Sequence, residues 1–218
     1  MASILTFRPD FRTKLISTLI ESMVDPRLGF DVEGIIRKVI VVGPDGTGKT
    51  TFVNQMAEAF ESKYNHPCPT FHHNLNTGIA WYESMGKGNG FAASMEGDLL
   101  SRNWYIYDRH PAIDYPVYQM AIRGGTPFAE DHPSNYPERP YSTWFMRQVV
   151  RSALKDSILV FLADQKVQPS AERGDPDAIV DCLDNIRKEY SDVIDELIRT
   201  DDALTWSHDV VIFEEVVS

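Results

Sequence analysis

The run Val39-Ile40-Val41-Val42 is closed by Gly43, and residues 43–50 read Gly-Pro-Asp-Gly-Thr-Gly-Lys-Thr, a full match to the pattern G-x-x-x-x-G-K-[ST]. Few short segments restrict a fold as far. A β-branched run stopped by glycine suits a buried parallel strand. Thr51, Phe52, Met56, Ala57 and Phe60 follow at helical spacing, so the segment predicts strand, tight loop and helix in direct succession. Glycines let such a loop wrap an anion closely, with successive N–H groups and the positive end of the helix aimed inward. Gly43, Pro44, Asp45, Gly46, Thr47, Gly48, Lys49, Thr50 and Thr51 are therefore the candidate triphosphate cradle. In it Lys49 would bridge terminal phosphate oxygens and the Thr50 hydroxyl would ligate Mg²⁺. ATP and Mg²⁺ are the expected cofactors. The bland alternative is a glycine-rich turn carrying a solvated lysine.

The rest of the chain alternates in the same way. Residues 10–23 read as an amphipathic helix, with Asp10 as N-cap and Phe11, Leu15, Leu19, Ile20 and Met23 on one face. Further strands are expected near Pro69–His72, at Trp104–Tyr107 ending on Asp108, at Ile158–Leu162 ending on Asp164, and at Val210–Phe213. Residues 74–101 look helical but are interrupted by Gly86, Gly88 and Gly90, and a helix through Trp144, Phe145 and Val149 precedes the fourth strand. From Ile179 on, Ile179, Leu183, Ile186, Tyr190, Val193, Ile194 and Leu197 form a helical stripe. Residues 124–140 are a long excursion rich in Gly and Pro, and residues 165–176 are polar and suit a mobile flap. Strands alternating with helices imply α/β architecture, a mostly parallel sheet of five strands with helices on both faces, and ligands at the carboxyl ends of the strands.

At 218 residues the chain has room for one such domain. The division expected is a helical extension over 1–35 and the α/β domain over 36–218. The net charge of −11 argues against a protein that coats nucleic acid. Most of that charge lies in residues 151–218, with 7 basic and 16 acidic side chains, whereas residues 1–150 hold 14 and 16. The N-terminal two-thirds, which bears the phosphate motif, is nearly neutral. Cys68 and Cys182 stand far apart in no C-x-x-C pair, which suggests buried thiols in a reducing cytoplasm. No apolar run approaches membrane-spanning length, and the N-terminus lacks the layout of a signal peptide. His66, Cys68, His72 and His73 are the one metal-like cluster, but their spacing fits no common zinc pattern.

Asp108-Arg109-His110-Pro111 directly follows the third strand. Phosphoryl transfer needs a group that accepts or orients the acceptor's hydroxyl proton and cations that offset charge on the moving phosphoryl. Asp108 and Arg109 suit those two tasks; the alternative is an ordinary ion pair at the surface. Gly43-x-Asp45-Gly46-x-Gly48-Lys49-Thr50 followed by a strand-borne Asp-Arg resembles the thymidylate kinase and deoxynucleoside kinase group of P-loop kinases. The Asp-Arg-His-Pro form is similar to that of herpesvirus-type thymidine kinases. Glu172-Arg173-Gly174-Asp175 and the helix containing Ile186-Arg187-Lys188-Glu189-Tyr190 are similar to the thymidylate kinase lid and the helix after it.

The resemblance, over roughly residues 37–215, implies a P-loop NTPase fold with a short lid at about 165–176. It implies an ATP-dependent kinase in which Lys49, Asp108, Arg109 and Arg173 are catalytic and Thr50 and Asp108 face the metal. Asp45 would approach the sugar or acceptor hydroxyl. Arg109 would hold the acceptor or the transferred phosphoryl, and Arg173, with Lys166, would close over ATP. The implied partner is a nucleoside or nucleotide, in the cytoplasm, or in a host's cytoplasm for a phage-encoded chain. A homodimer stays open.

One departure widens the choice of acceptor. Where thymidylate kinases usually carry an Arg-Glu-Pro-like segment, this chain reads Phe71-His72-His73-Asn74. A deoxynucleoside or its monophosphate is the first expectation. DNA itself, phosphorylated at 5-hydroxymethyluracil as by certain phage P-loop kinases, is the alternative, and a nucleotide-binding module without turnover is the third.

Overall fold

The structure is a computed structural model that describes residues 12–23, 38–73, 104–110, 113–114, 117–118, 120–121, 157–163, 177–201 and 209–213. The expected helices over 74–101 and 144–149, the excursion at 124–140 and the lid at 165–176 lie outside the described residues. In chain order the elements are α1 (Arg12–Met23), β1 (Lys38–Val42), α2 (Lys49–Tyr64), β2 (Thr70–His72), β3 (Tyr105–Asp108), β4 (Ser157–Leu162), α3 (Asp177–Asp181), α4 (Leu183–Asp201) and β5 (Asp209–Phe213). The architecture is α/β, and the strands pair in the order β2-β3-β1-β4-β5, every pairing parallel.

β1 is flanked on both sides. Val41 is in register with Asp108 of β3 and Val42 with Phe161 of β4. All five β1 residues are buried, as expected of a strand covered on both faces. The loop leaving β1 thus opens at the middle of the sheet's carboxyl edge, where open α/β sheets bind ligands.

Alternation along the strands divides the core. Val39 and Val41 of β1, Ile106 of β3, and Ile158, Val160 and Leu162 of β4 join one cluster with Leu15, Leu19, Ile20 and Met23 of α1 and Phe52, Met56 and Phe60 of α2. Leu15, Leu19, Ile20 and Met23 of the stripe foreseen in residues 10–23 are therefore buried in the same core as the sheet, whereas Asp10 and Phe11 lie outside the described residues. Trp104 ties it down, its indole N–H donating to the Met23 carbonyl at 2.8 Å while its ring packs 5.6 Å from that of Phe60. The opposite face receives α4: Tyr190 stacks on Phe161, ring centroids 6.0 Å apart, and meets Tyr118 edge-on. Helices cover both faces. The stripe after Ile179 is divided at Cys182, which separates α3 from α4 and accepts the Ile186 N–H at 2.9 Å.

Cys68 is buried, and burial pushes its thiol up to about 12. Since the thiolate is the reacting form, maleimide at mildly alkaline pH is expected to label Cys68 only after denaturant is added. Mass spectrometry of native and unfolded samples checks this; equal labelling rates would contradict the burial.

Candidate active site

The phosphate-type loop is built by its glycines. Gly43, Gly46 and Gly48 have φ of +145°, +81° and +80°, conformations that side chains disfavour. At Gly43 a Cβ would also press on the Leu162 carbonyl at the end of β4, so the chain can pass there only as glycine. Gly43→Ala is expected to cost at least about 1–3 kcal/mol, the range for a residue forced into such backbone geometry, and a thermal melt measures it. An unchanged melting temperature would show that the loop can rearrange.

Inside the loop the Thr47 hydroxyl donates to the Pro44 carbonyl at 3.0 Å, and Lys49 Nζ donates to the same oxygen at 2.5 Å. Lys49 is the first residue of α2 and is buried. Burial, helped by the nearby Arg109 charge, pushes its pKa down to about 7 against the pull of Asp45, Asp114 and Asp108. The ammonium is disfavoured here chiefly by desolvation, and an anion in the loop would favour its charged form. Thr51, the last of the cradle candidates, is exposed on α2.

The strand-end pair arrives from β3. The Thr50 hydroxyl donates to Asp108 Oδ2 at 2.6 Å, and His72 Nδ1, from the end of β2, donates to the same oxygen at 2.9 Å. Asp108 Oδ1 is buried, and among the described residues no hydrogen-bond partner reaches it. Parallel pairing of β2, β3 and β1 brings these groups together, since Val41 and His72 both lie opposite Asp108. A buried carboxylate oxygen left unpaired beside a threonine hydroxyl is a hard oxygen set of the kind Mg²⁺ takes, which needs one or two protein ligands and completes its shell with phosphate and water. Thr50 and Asp108 therefore fit the metal position expected of them. Among the described residues no group of three or more His, Cys, Asp and Glu is placed to hold a metal ion. His66 instead packs edge-on to Trp104, and Cys68 is buried in the core.

Arg109 turns the other way. Its φ is +70°, in the left-handed region, and its N–H donates to the Val41 carbonyl at 2.9 Å. The guanidinium donates through Nη2 to Asp45 Oδ1 and through Nη1 to the Tyr118 hydroxyl at 2.9 Å, and Tyr118 in turn donates to Asp45 Oδ2. Both oxygens of Asp45 are thus engaged with Arg109 and Tyr118, whereas the resemblance assigned Asp45 to a substrate hydroxyl. Burial pushes the Asp45 carboxyl up, but Arg109 and Lys49 outweigh it and hold it below the ordinary value. Burial also works against the Arg109 charge, yet Tyr118, Tyr190, Asp45 and Asp114 hold its pKa well above the usual arginine value.

No protein-family model matches the chain, and no curated protein matches it.

The structure therefore brings Asp45, Lys49, Thr50, Asp108 and Arg109 to one point at the carboxyl edge of the sheet. Asp164, Lys166 and Arg173 lie outside the described residues. Three further contributors were read differently from sequence. In the sequence Tyr118 follows Asp-Arg-His-Pro and suits an acceptor pocket or an amphipathic helix equally well. Tyr190 was one member of an apolar stripe. Asp114 carried no signal beyond its place four residues after His110. A tyrosine amid aliphatic residues is itself a mild clue, because a buried phenol needs a partner.

Proposed function

We propose that this chain is an ATP-dependent phosphotransferase of the P-loop NTPase fold, passing the γ-phosphoryl group to a deoxynucleoside or a deoxynucleoside monophosphate. The observation that carries the proposal is the 2.6 Å contact between Thr50 and Asp108, whose other oxygen, Oδ1, is buried with no partner among the described residues. It joins the phosphate-type loop to the strand-end carboxylate, two features 58 residues apart, which supports a role in holding the Mg²⁺ of a triphosphate.

Each residue then has a task. Backbone N–H groups of Gly43–Thr50 and the start of α2 hold phosphate oxygens, and Lys49 neutralises terminal phosphate charge from within the loop. Thr50 and Asp108 would hold Mg²⁺, which when bound offsets charge on the phosphate oxygens. Arg109, locked by Asp45 and Tyr118, offers a preorganised cation toward charge developing on the transferred group. His72, half exposed and bonded to Asp108, stands at the acceptor end of β2. Asp108 contacts Thr50 and Arg109 contacts Asp45 of the same loop, which supports turnover over a nucleotide-binding module, in which those side chains could lie remote.

The test offers γ-labelled ATP with a panel of deoxynucleosides, their monophosphates, plain DNA and DNA containing 5-hydroxymethyluracil. Label on a nucleoside or monophosphate is the expected result. Label confined to the modified DNA would replace the acceptor with a base in polymer. Label on none of them would overturn the kinase reading.

A further inference from the structure

The turn after β3 holds a buried carboxylate that nothing in the phosphate chemistry requires. Asp114 is 5% exposed. Its Oδ2 accepts the His110 backbone N–H at 2.6 Å, its Oδ1 accepts the Tyr190 hydroxyl from α4, and the same Oδ1 lies 3.6 Å from Arg109 Nη1. The Asp114 N–H returns a 2.9 Å bond to the His110 carbonyl. One carboxylate thus clamps the backbone beside Arg109, faces its guanidinium and anchors both to a helix on the far side of the sheet. Tyr190 is fully buried between Phe161 and Tyr118, so its hydroxyl is set by packing and can hold Asp114 in place.

Two aspects of Arg109 call for such a support. Its backbone is left-handed, which costs a branched-chain or long side chain energy that the surroundings must offset. The bond from the His110 N–H to Asp114 fixes the next peptide and with it that turn. The other carboxylate on Arg109, Asp45, belongs to the loop itself, whereas Asp114 approaches from outside the loop. A 3.6 Å separation is too long for a strong hydrogen bond but close enough for charge attraction in a buried setting.

We infer that Asp114, anchored by Tyr190, is the positioning residue that sets Arg109 in its working geometry, so that the Arg109 guanidinium depends on α4 as well as on the phosphate loop. The inference rests on the phosphotransferase reading for the consequence in rate, but the placement of Arg109 can be read without turnover.

The experiment compares Asp114→Asn, Tyr190→Phe and Arg109→Ala, singly and combined, in the full chain. Asp114→Asn is expected to lower kcat for transfer by about 10–100-fold, the scale of a misplaced catalytic group, with the KM for ATP unchanged. Tyr190→Phe, which removes one oxygen and keeps the packing, is expected to give a smaller fall in the same direction. In the Arg109→Ala background Asp114→Asn should cost nothing further, because its effect passes through Arg109. An equal loss in both backgrounds, or a wild-type kcat in both Asp114→Asn and Tyr190→Phe, would overturn the inference. The independent readout is the Arg109 Nε–H resonance in ¹⁵N-arginine spectra, assigned by its disappearance in Arg109→Ala. It should shift or broaden in Asp114→Asn and Tyr190→Phe, and an unmoved signal in both would overturn the positioning role whatever the activity. Wild-type protein that transfers phosphate to no acceptor would instead sink the kinase reading while the resonance still decides on Asp114. Tyr190→Phe covers the case in which Asp114→Asn fails to fold.

Discussion

Replacing Lys49 with alanine is expected to reduce phosphoryl transfer by about 10²–10³-fold or more, the range for removing one preorganised charged donor, and to weaken triphosphate binding with it. Lys49 Nζ lies buried against the Pro44 carbonyl with a pKa pushed down to about 7 by burial. No other lysine is positioned within the loop sequence, so alanine leaves the terminal phosphates without their nearest point charge. The core should survive, since the residues α2 buries in it are Phe52, Val53, Met56 and Phe60. Circular dichroism establishes that the variant is folded, and titration with ATP together with transfer of labelled phosphate gives the effect. Hydrolysis and transfer at wild-type rates in the folded variant would remove the loop from the chemistry.

Asp108→Asn separates binding from transfer. Asparagine keeps the shape and can still accept from Thr50 or His72, but it removes the negative charge that a divalent cation needs. Binding of triphosphate without metal should therefore stay near the wild-type value. Transfer at a fixed Mg²⁺ concentration should fall by about 10²–10³-fold, and the Mg²⁺ needed for half-maximal rate should rise. The measurement is a Mg²⁺ titration of the transfer rate beside an ATP titration in chelator. A wild-type rate with a wild-type Mg²⁺ requirement would take Asp108 out of the site. The two variants report on different parts: Lys49→Ala loses binding and rate together, whereas Asp108→Asn loses rate and metal dependence alone.

Much of this organisation is legible without coordinates. The strand before Gly43, the helix after Gly48 and the apolar face of residues 12–23 follow from local rules: β-branched runs in covered strands, glycine where the backbone must turn to positive φ, and a period near 3.6 on packed helices. The strand-end Asp108-Arg109 could be placed near the loop on the condition that its strand neighbours β1, and it does.

The partners of those residues were not legible. Asp45 reads as a residue of the loop facing substrate, yet it is bound to Arg109, 64 residues on, and to Tyr118, 73 residues on. Asp114 meets Tyr190 across 76 residues. Contacts of that kind leave no periodic trace, because each depends on which side chains parallel pairing and helix packing happen to bring within hydrogen-bond reach.

Gly43–Thr50 and its flanking strand and helix were determined by the sequence alone, since backbone sterics and local spacing suffice to specify a tight glycine-rich turn there. Only the tertiary structure decided that Thr50 and His72 share one oxygen of Asp108 and that Arg109 is held between Asp45, Tyr118 and Asp114. Buried polar groups must find partners wherever the fold supplies them, and the fold supplied these from four separate stretches of chain.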